Sequence, residues 1–201
     1  MVPHDELLRL SSLCYSTSTF EIDGIEVLVS QWDKYSVVAI RGTQMSWRDI
    51  FRDARATPYK SELLGWGHKG FLVAAEKVLQ RLSIMSSIKG PYVFTGHSLG
   101  GAIALAASYG AWKRGWDVRQ MVGFGTPKVF YRESKKLPLE DIAYTLYENG
   151  TDPVVRVPMF FGERIVKPQK IGKKKGIRKL IPCVNDHLLS SYEESLSKEP
   201  P

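Results

Sequence analysis

Ser98, which stands between two glycines in the stretch TGHSLGGA at residues 95–102, is the residue of this chain best placed to act as a nucleophile. It follows an apolar run at 91–94 and precedes a run of small residues at 102–107. A strand that delivers a serine to a sharp turn, followed at once by a helix, exposes the hydroxyl for attack on a carbonyl carbon. The pattern Gly-x-Ser-x-Gly alone arises by chance with a probability of about 0.07, and an ordinary serine at a helix start is the alternative. The flanking patterns favour the nucleophile.

A serine nucleophile requires a base, and His187 is in a suitable position. In proteins that carry the nucleophile on a strand-to-helix turn, the chain order is serine, acid, histidine. His187 follows a strand-like segment at 180–184, from which a loop can carry the imidazole over the sheet edge. The other histidines all precede the serine: His4, His68 and His97.

Asp152 is the predicted acid that orients this base. It follows a strand-like segment at 142–147 through the turn sequence at 149–151, which should place it at the carboxyl edge of a sheet. NGTDP is also an ordinary turn sequence that gives the aspartate no chemical role. Three other aspartates fit less well, since two precede their strands and one adjoins the histidine: Asp117, Asp141 and Asp186.

Together, Ser98, Asp152 and His187 predict acyl transfer by a catalytic triad. The imidazole takes the serine proton as the oxygen attacks a carbonyl, and the carboxylate fixes the imidazole tautomer. This chemistry requires neither a metal nor an organic cofactor, so we expect none.

The oxyanion formed in this attack needs hydrogen-bond donors. The main-chain N–H of Leu99, the residue after the nucleophile, is one candidate. Thr43 is the other, because it follows the strand-like run at 35–40 through Arg41 and Gly42 and offers both an N–H and a hydroxyl.

Length and composition limit the number of domains and the class of protein to which the chain can belong. With 201 residues, of which 43% are hydrophobic, we expect one domain over residues 1–201. No run is long enough to cross a bilayer, and MVPHDELLRL resembles no signal peptide, so we expect an unprocessed cytoplasmic protein. Cys14 and Cys183 match no metal or redox spacing, which favours free thiols over a disulfide bridge.

Hydrophobic periodicity predicts strands alternating with helices, the pattern of a largely parallel sheet. The predicted helices are residues 4–13, 69–88, 99–113 and 188–196, and the predicted strands are 25–30, 35–40, 92–95, 120–124 and 142–147, with a basic hairpin at 163–182.

Six blocks in order resemble the class 3 lipases, the family typified by triacylglycerol lipases of filamentous fungi. The blocks are AIRGT (39–43), GHKGF (67–71), TGHSLGGA (95–102), GFGTPKV (123–129), NGTDPVVRVP (149–158) and NDHLLSSY (185–192). The resemblance implies an α/β-hydrolase fold, with a mostly parallel central sheet flanked by helices, and hydrolysis of lipid esters. It also implies a triad of Ser98, Asp152 and His187 and an oxyanion hole from Thr43 and Leu99, in agreement with the residues chosen above.

The same resemblance assigns structural roles to His68 and to residues 125–127, which would hold the strand ends around the site. His97 flanks the nucleophile, but we expect its side chain to point away from the base. With 34 residues between Asp152 and His187, the chain is short for the family. A lean binding surface follows, with fewer contacts for a bulky triglyceride.

Residues 46–54 form a candidate lid. Apolar residues recur there with helical spacing, which predicts a helix with one apolar and one charged face: Trp47, Ile50, Phe51 and Ala54. In class 3 lipases a helix at this position covers the site in water and turns its apolar face to lipid. A helix packed permanently on the core fits the pattern equally well.

A basic run at 167–179 carries much of the net charge of +7. Such a run is usually a solvated loop, but it also fits peripheral contact with an anionic membrane. It contains seven bases and no acid: Lys167, Lys170, Lys173, Lys174, Lys175, Arg178 and Lys179.

The sequence therefore predicts a carboxylic ester hydrolase that acts on lipid esters, as a lipase or a phospholipase of A type. A catalytically silent lipase-like domain that binds anionic membranes or a protein partner is the alternative. Nucleic-acid binding is not expected, because the basic run lacks interleaved aromatic residues.

Overall fold

A computed structural model describes residues 1–41, 58–85, 88–131, 137–157, 166–172 and 184–198 of the chain. The candidate lid at 46–54, the predicted oxyanion donor Thr43 and Cys183 lie outside these residues. So do five of the seven bases of the basic run, Lys173, Lys174, Lys175, Arg178 and Lys179.

Seven of the strands formed by the described residues make one sheet, in the order β1-β2-β3-β6-β7-β8-β9. The pairs β1/β2 and β2/β3 are antiparallel, and every pair from β3 to β9 is parallel. β4 and β5 form a separate antiparallel pair. The strands are β1 (Phe20–Ile22), β2 (Ile25–Trp32), β3 (Tyr35–Arg41), β4 (Pro58–Ser61), β5 (Gly65–His68), β6 (Tyr92–His97), β7 (Val118–Phe124), β8 (Ala143–Asn149) and β9 (Gln169–Ile171).

Apolar residues on the central strands are buried on both faces of the sheet, as a parallel sheet covered by helices requires. On β3, Val37 and Ala39 pack into one core cluster, whereas Val38 and Ile40 pack into the other. Helices α1 (His4–Leu13) and α4 (Leu189–Leu196) cover the first face, and α2 (Lys69–Ser83) and α3 (Leu99–Lys113) cover the second. This arrangement confirms the predicted α/β-hydrolase architecture.

Helix α3 is the most deeply buried of the described helices, because every residue from Gly100 to Ala111 is buried. Small side chains allow this close packing. On Gly100, a Cβ atom would collide with the carbonyl oxygen of Ile40 at the end of β3. The first turn of α3 therefore lies directly against the last residues of β3.

One predicted helix differs from the structure in length. The helix predicted at 69–88 ends at Ser83, since its last buried apolar residue is Leu82 and Ile84 is 69% exposed. Of the predicted hairpin at 163–182, the described residues contain β9, which pairs in parallel with β8 and so extends the main sheet. The rest of that segment lies outside the described residues, so the hairpin stays a prediction. In the described part of the chain, no helix combines the length and apolarity needed to cross a membrane.

Candidate active site

Ser98 occupies a strained turn between β6 and α3. Its backbone angles are φ 56° and ψ −125°, on the positive side of φ that residues other than glycine rarely adopt. The N–H of Ser98 donates to the carbonyl oxygen of Phe124, 2.8 Å away at the end of β7. The turn is therefore fixed to the neighbouring strand, and the serine is presented at the head of a helix, as the sequence context predicts.

Strand register brings three loops together at this edge of the sheet. His97 at the end of β6 pairs with Phe124 of β7, which in turn pairs with Tyr147 of β8. Because these strands are parallel, the segments that follow them all leave at the same edge. Ser98 and Asp152 belong to two of these segments, so the sheet itself places the two residues at one edge.

Asp152 and His187 form a buried hydrogen-bonded pair. The imidazole Nδ1 lies 2.7 Å from Oδ2 of the carboxylate, and His187 and Asp152 are 1% and 0% exposed. The other carboxylate oxygen, Oδ1, accepts a hydrogen bond from the N–H of Val154 at 2.8 Å. With Nδ1–H donating to the carboxylate, the neutral imidazole has its basic nitrogen at Nε2.

A tyrosine that sequence reasoning missed completes the surroundings of this carboxylate. The hydroxyl of Tyr192, on α4, donates to Oδ2 of Asp152 at 2.6 Å. Burial, together with the negative charge of Asp152, raises the pKa of Tyr192 well above its usual value, so the hydroxyl remains a donor. Its one sequence signal is its position in the block NDHLLSSY, five residues after the histidine.

Gly125 provides the space in which the pair sits. It has φ +60°, and a Cβ atom there would lie 2.7 Å from Cε1 and 2.8 Å from Nδ1 of His187, and 3.0 Å from Oδ2 of Asp152. Only a residue without a side chain leaves the imidazole and the carboxylate in their observed positions. This close approach is the structural role of Gly125 at the strand end.

Asp186 ties the loop that carries Asp152 to the loop that carries His187. Its carboxylate accepts hydrogen bonds from the N–H of Thr151 at 2.8 Å and from the hydroxyl of the same residue at 3.0 Å. The side-chain amide of Asn149 donates to the main-chain oxygen of Asp186 at 3.0 Å. Asp186 therefore faces the turn of the acid rather than the ring of His187.

The expectation that His97 points away from the base is wrong. Its ring centroid lies 4.6 Å from that of His187, and its Nε2 lies 2.7 Å from the main-chain oxygen of His187. The reason is tertiary, because the chain that carries His187 continues into α4. That helix covers the sheet face on which the His97 side chain lies, with Tyr192 against its ring.

The remaining predicted residues are placed as follows. Leu99 is the first residue of α3, so its N–H has no acceptor within the helix, and it adjoins the serine. His68 ends β5 with its ring stacked on Phe71 at 4.1 Å. Lys167 and Lys170, the two described bases of the basic run, are both exposed.

The chain was compared with protein families, with curated proteins and with solved structures. Residues 37–162 match the family model for class 3 lipases. No curated protein matches the chain significantly.

Solved structures resemble the chain at identities that establish a shared fold. A lipase from Rhizopus microsporus var. chinensis is 22% identical with a TM-score of 0.63, over 82% of this chain and 68% of the lipase. The Rhizomucor miehei lipase in its propeptide complex is 20% identical with a TM-score of 0.63, over 90% and 77%. A triacylglycerol lipase whose catalytic centre is a serine-protease triad is 21% identical with a TM-score of 0.58, over 82% and 74%.

Proposed function

Because the chain belongs to the class 3 lipase family and is a carboxylic ester hydrolase, we propose that it cleaves lipid esters through a triad of Ser98, Asp152 and His187. The observation that carries the proposal is the buried hydrogen bond of 2.7 Å between the imidazole and the carboxylate, at the edge of the sheet where the strained serine turn lies. A triacylglycerol lipase of similar fold has a serine-protease triad at its catalytic centre.

In the proposed first half-reaction, His187 Nε2 takes the proton of Ser98 as Oγ forms a bond to the carbonyl carbon of the ester. The electron pair of the C=O bond moves to oxygen. When the tetrahedral intermediate collapses, the bond to the leaving alkoxide breaks and the imidazolium returns the proton to it. Water then attacks the acyl-serine with the same base, which releases the fatty acid and restores the serine.

Asp152 contributes by holding its charge beside the imidazolium that forms during each step. Its two oxygens receive hydrogen bonds from His187, Val154 and Tyr192. These bonds fix the carboxylate before reaction, so no reorganisation is needed when the imidazole becomes charged. The histidine is in this way kept in one tautomer.

For the oxyanion we propose the N–H of Leu99 and, as the second donor, Thr43. Leu99 begins helix α3, whose N-terminus favours a negative charge. The end of β3 lies against the first turn of this helix, since a Cβ on Gly100 would meet backbone atoms of Ile40 and Arg41. Thr43 follows two residues after Arg41 and lies outside the described residues.

We further propose that the substrate is presented at a lipid surface, as for a lipase or a phospholipase of A type. Exposed apolar side chains flank the site, since Leu188 directly follows the base and is 45% exposed, and Tyr15 is 46% exposed. In this proposal residues 46–54 act as a lid, and Lys167 and Lys170, with the rest of the basic run, contact anionic headgroups.

The test is active-site labelling combined with a substrate series. An organophosphonate should label the protein at Ser98, and the variant Ser98→Ala should take up none. Hydrolysis should then rise steeply as a short-chain phospholipid passes its critical micelle concentration and as a triglyceride passes its solubility limit. A folded protein that resists labelling and cleaves neither lipid nor simple aryl esters would instead be a silent binding domain.

Membrane contact is tested by sedimentation with neutral and anionic vesicles. Binding should increase with the anionic fraction and should weaken when Lys167 and Lys170 are replaced by Gln. Equal binding to both kinds of vesicle would contradict a role for the basic run. The matched control replaces Lys34 and Lys89 by Gln, because it also removes two exposed lysines, both outside the basic run.

A further inference from the structure

His97 makes three contacts that hold it against the base. Its Nε2 lies 2.7 Å from the main-chain oxygen of His187, and its ring is tilted by 39° over the imidazole at 4.6 Å. Its Nδ1 lies 3.3 Å from the hydroxyl of Tyr15, in the segment that follows α1. The residue is 7% exposed, and its contact with the main chain of His187 is buried, whereas its contact with Tyr15 is partly buried.

Hydrogen-bond chemistry determines the tautomer of this histidine. A carbonyl oxygen only accepts, so Nε2 of His97 must carry the proton that it donates to His187. Nδ1 is then an acceptor, which matches a hydroxyl donor on Tyr15. Burial, together with the neighbouring His187, lowers the pKa of His97 to about 3, so the ring is neutral at physiological pH.

Tyr15 is itself fixed, by the last residue of β3. The guanidinium of Arg41 lies 4.5 Å from the centre of the tyrosine ring and donates to its main-chain oxygen at 3.4 Å. Arg41 is only 5% exposed and is paired with Glu26 at 2.7 Å. A continuous set of contacts thus leads from the end of β3 to the main chain of His187.

We propose that His97 and Tyr15 are positioning residues for the base, which hold the backbone of His187 at a fixed depth and thereby align its imidazole. This inference rests on the proposed function, because it assigns His187 the role of base. The hydrogen bond to Asp152 holds the ring at Nδ1, but it does not by itself fix the depth of the main chain that carries the ring. The bond from His97 to the carbonyl of His187 and the ring contact supply the second constraint.

The contacts of Tyr15 also connect the end of β3 with His97. Arg41 immediately precedes the stretch proposed to supply the oxyanion donor Thr43. The contacts of Tyr15 with Arg41 and His97 therefore connect the strand that leads to this donor with the residue that bears the base.

Two variants of His97 separate its hydrogen bond from its bulk. His97→Gln retains an N–H donor near the position of Nε2, whereas His97→Phe retains an aromatic ring but has no donor. Because displacement of a reacting group by a fraction of an ångström to one ångström costs up to about 100-fold, we expect the kcat of His97→Phe to fall about 10- to 100-fold. KM should change less than about twofold, and His97→Gln should recover most of the loss. Tyr15→Phe should lower kcat by a smaller factor, since His97 then still donates.

Rates are expressed per labelled site, with the organophosphonate as titrant, so that a loss of folded protein does not count as a loss of kcat. The comparison of kcat with KM gives an independent measurement, because a misaligned base slows the chemical step and leaves substrate binding almost unchanged. His4→Phe is the control, because His4 bonds to Tyr147 away from the base.

The outcomes are distinguishable. If the wild-type protein takes up no label, the proposed function fails. If the wild type is labelled but His97→Phe has an unchanged kcat per site, the positioning role is refuted. If His97→Gln is as slow as His97→Phe, the bond to the carbonyl of His187 is not the cause, and the proposal is equally overturned.

Discussion

Replacement of Gly125 by alanine perturbs the proposed base and acid with one added carbon atom. At this position φ is +60°, and the new Cβ would lie 2.7 Å from Cε1 of His187 and 3.0 Å from Oδ2 of Asp152. Gly115 offers a matched control, because it has φ +79° and a Cβ atom there would meet nothing within 4 Å. Both substitutions place an alanine at positive φ, but only the new Cβ of Gly125→Ala collides with His187 and Asp152.

The magnitude follows from these distances. The backbone cost of alanine at positive φ is about 1–2 kcal/mol, which should lower the Tm of Gly115→Ala by about 2–4 °C per kcal/mol. For Gly125→Ala, ordinary contact begins at 3.4 Å, so the imidazole must retreat by about 0.7 Å in addition. A displacement of that size costs up to about 100-fold in rate. We expect kcat to fall about 10- to 100-fold, with KM nearly unchanged.

The assay is hydrolysis of a soluble aryl ester, so that events at a lipid surface do not enter, with rates expressed per site labelled by an organophosphonate. Thermal unfolding of both variants measures the backbone cost separately. If Gly125→Ala retains the kcat of Gly115→Ala within about twofold, the positions of His187 and Asp152 do not control the rate, and the reasoning is refuted.

Three further predictions concern the contacts around the pair. Tyr192→Phe removes one donor from the carboxylate of Asp152, and kcat should fall about 3- to 30-fold; an unchanged kcat in steady-state assays would exclude this role. Asp186→Ala removes the carboxylate that accepts both hydrogen bonds from Thr151, and urea unfolding should show that the free energy of unfolding falls by about 1–3 kcal/mol. A decrease below about 0.5 kcal/mol would contradict a stabilising role for these hydrogen bonds. The pKa of His97 is lowered by burial and by His187 to about 3 in the folded protein, against 6.5 as the usual value, so its contribution to stability is complete above pH 6.5 and is lost as the pH falls towards 3. The loss is up to about 1.4 kcal/mol per pH unit. The variant His97→Gln should therefore flatten the dependence of Tm on pH in this window, and an unchanged slope would contradict the assignment to His97.

Much of the fold could be predicted from the sequence because its signals are local. Helices α1 and α3 begin and end where hydrophobic periodicity places them, at His4–Leu13 and Leu99–Lys113. Where the local signal is weaker, the predictions are less accurate. The helix α2 ends at Ser83 once its apolar positions end, and the three-residue strand β9 is defined by its pairing with β8 rather than by its own composition.

Some residues of the candidate site could likewise be predicted from the sequence, whereas others are identified only by the tertiary structure. The turn at Ser98 and the choice of Asp152 and His187 follow from the order of residues along the chain, since strand ends and turn sequences can be recognised locally. Tertiary structure alone placed the hydroxyl of Tyr192 on the carboxylate of Asp152 and the ring of His97 on the ring of His187. These partners are 40 and 90 residues apart in the chain. A hydrogen bond between such residues depends on how helix α4 packs over the sheet, and no local pattern of residue types encodes that packing.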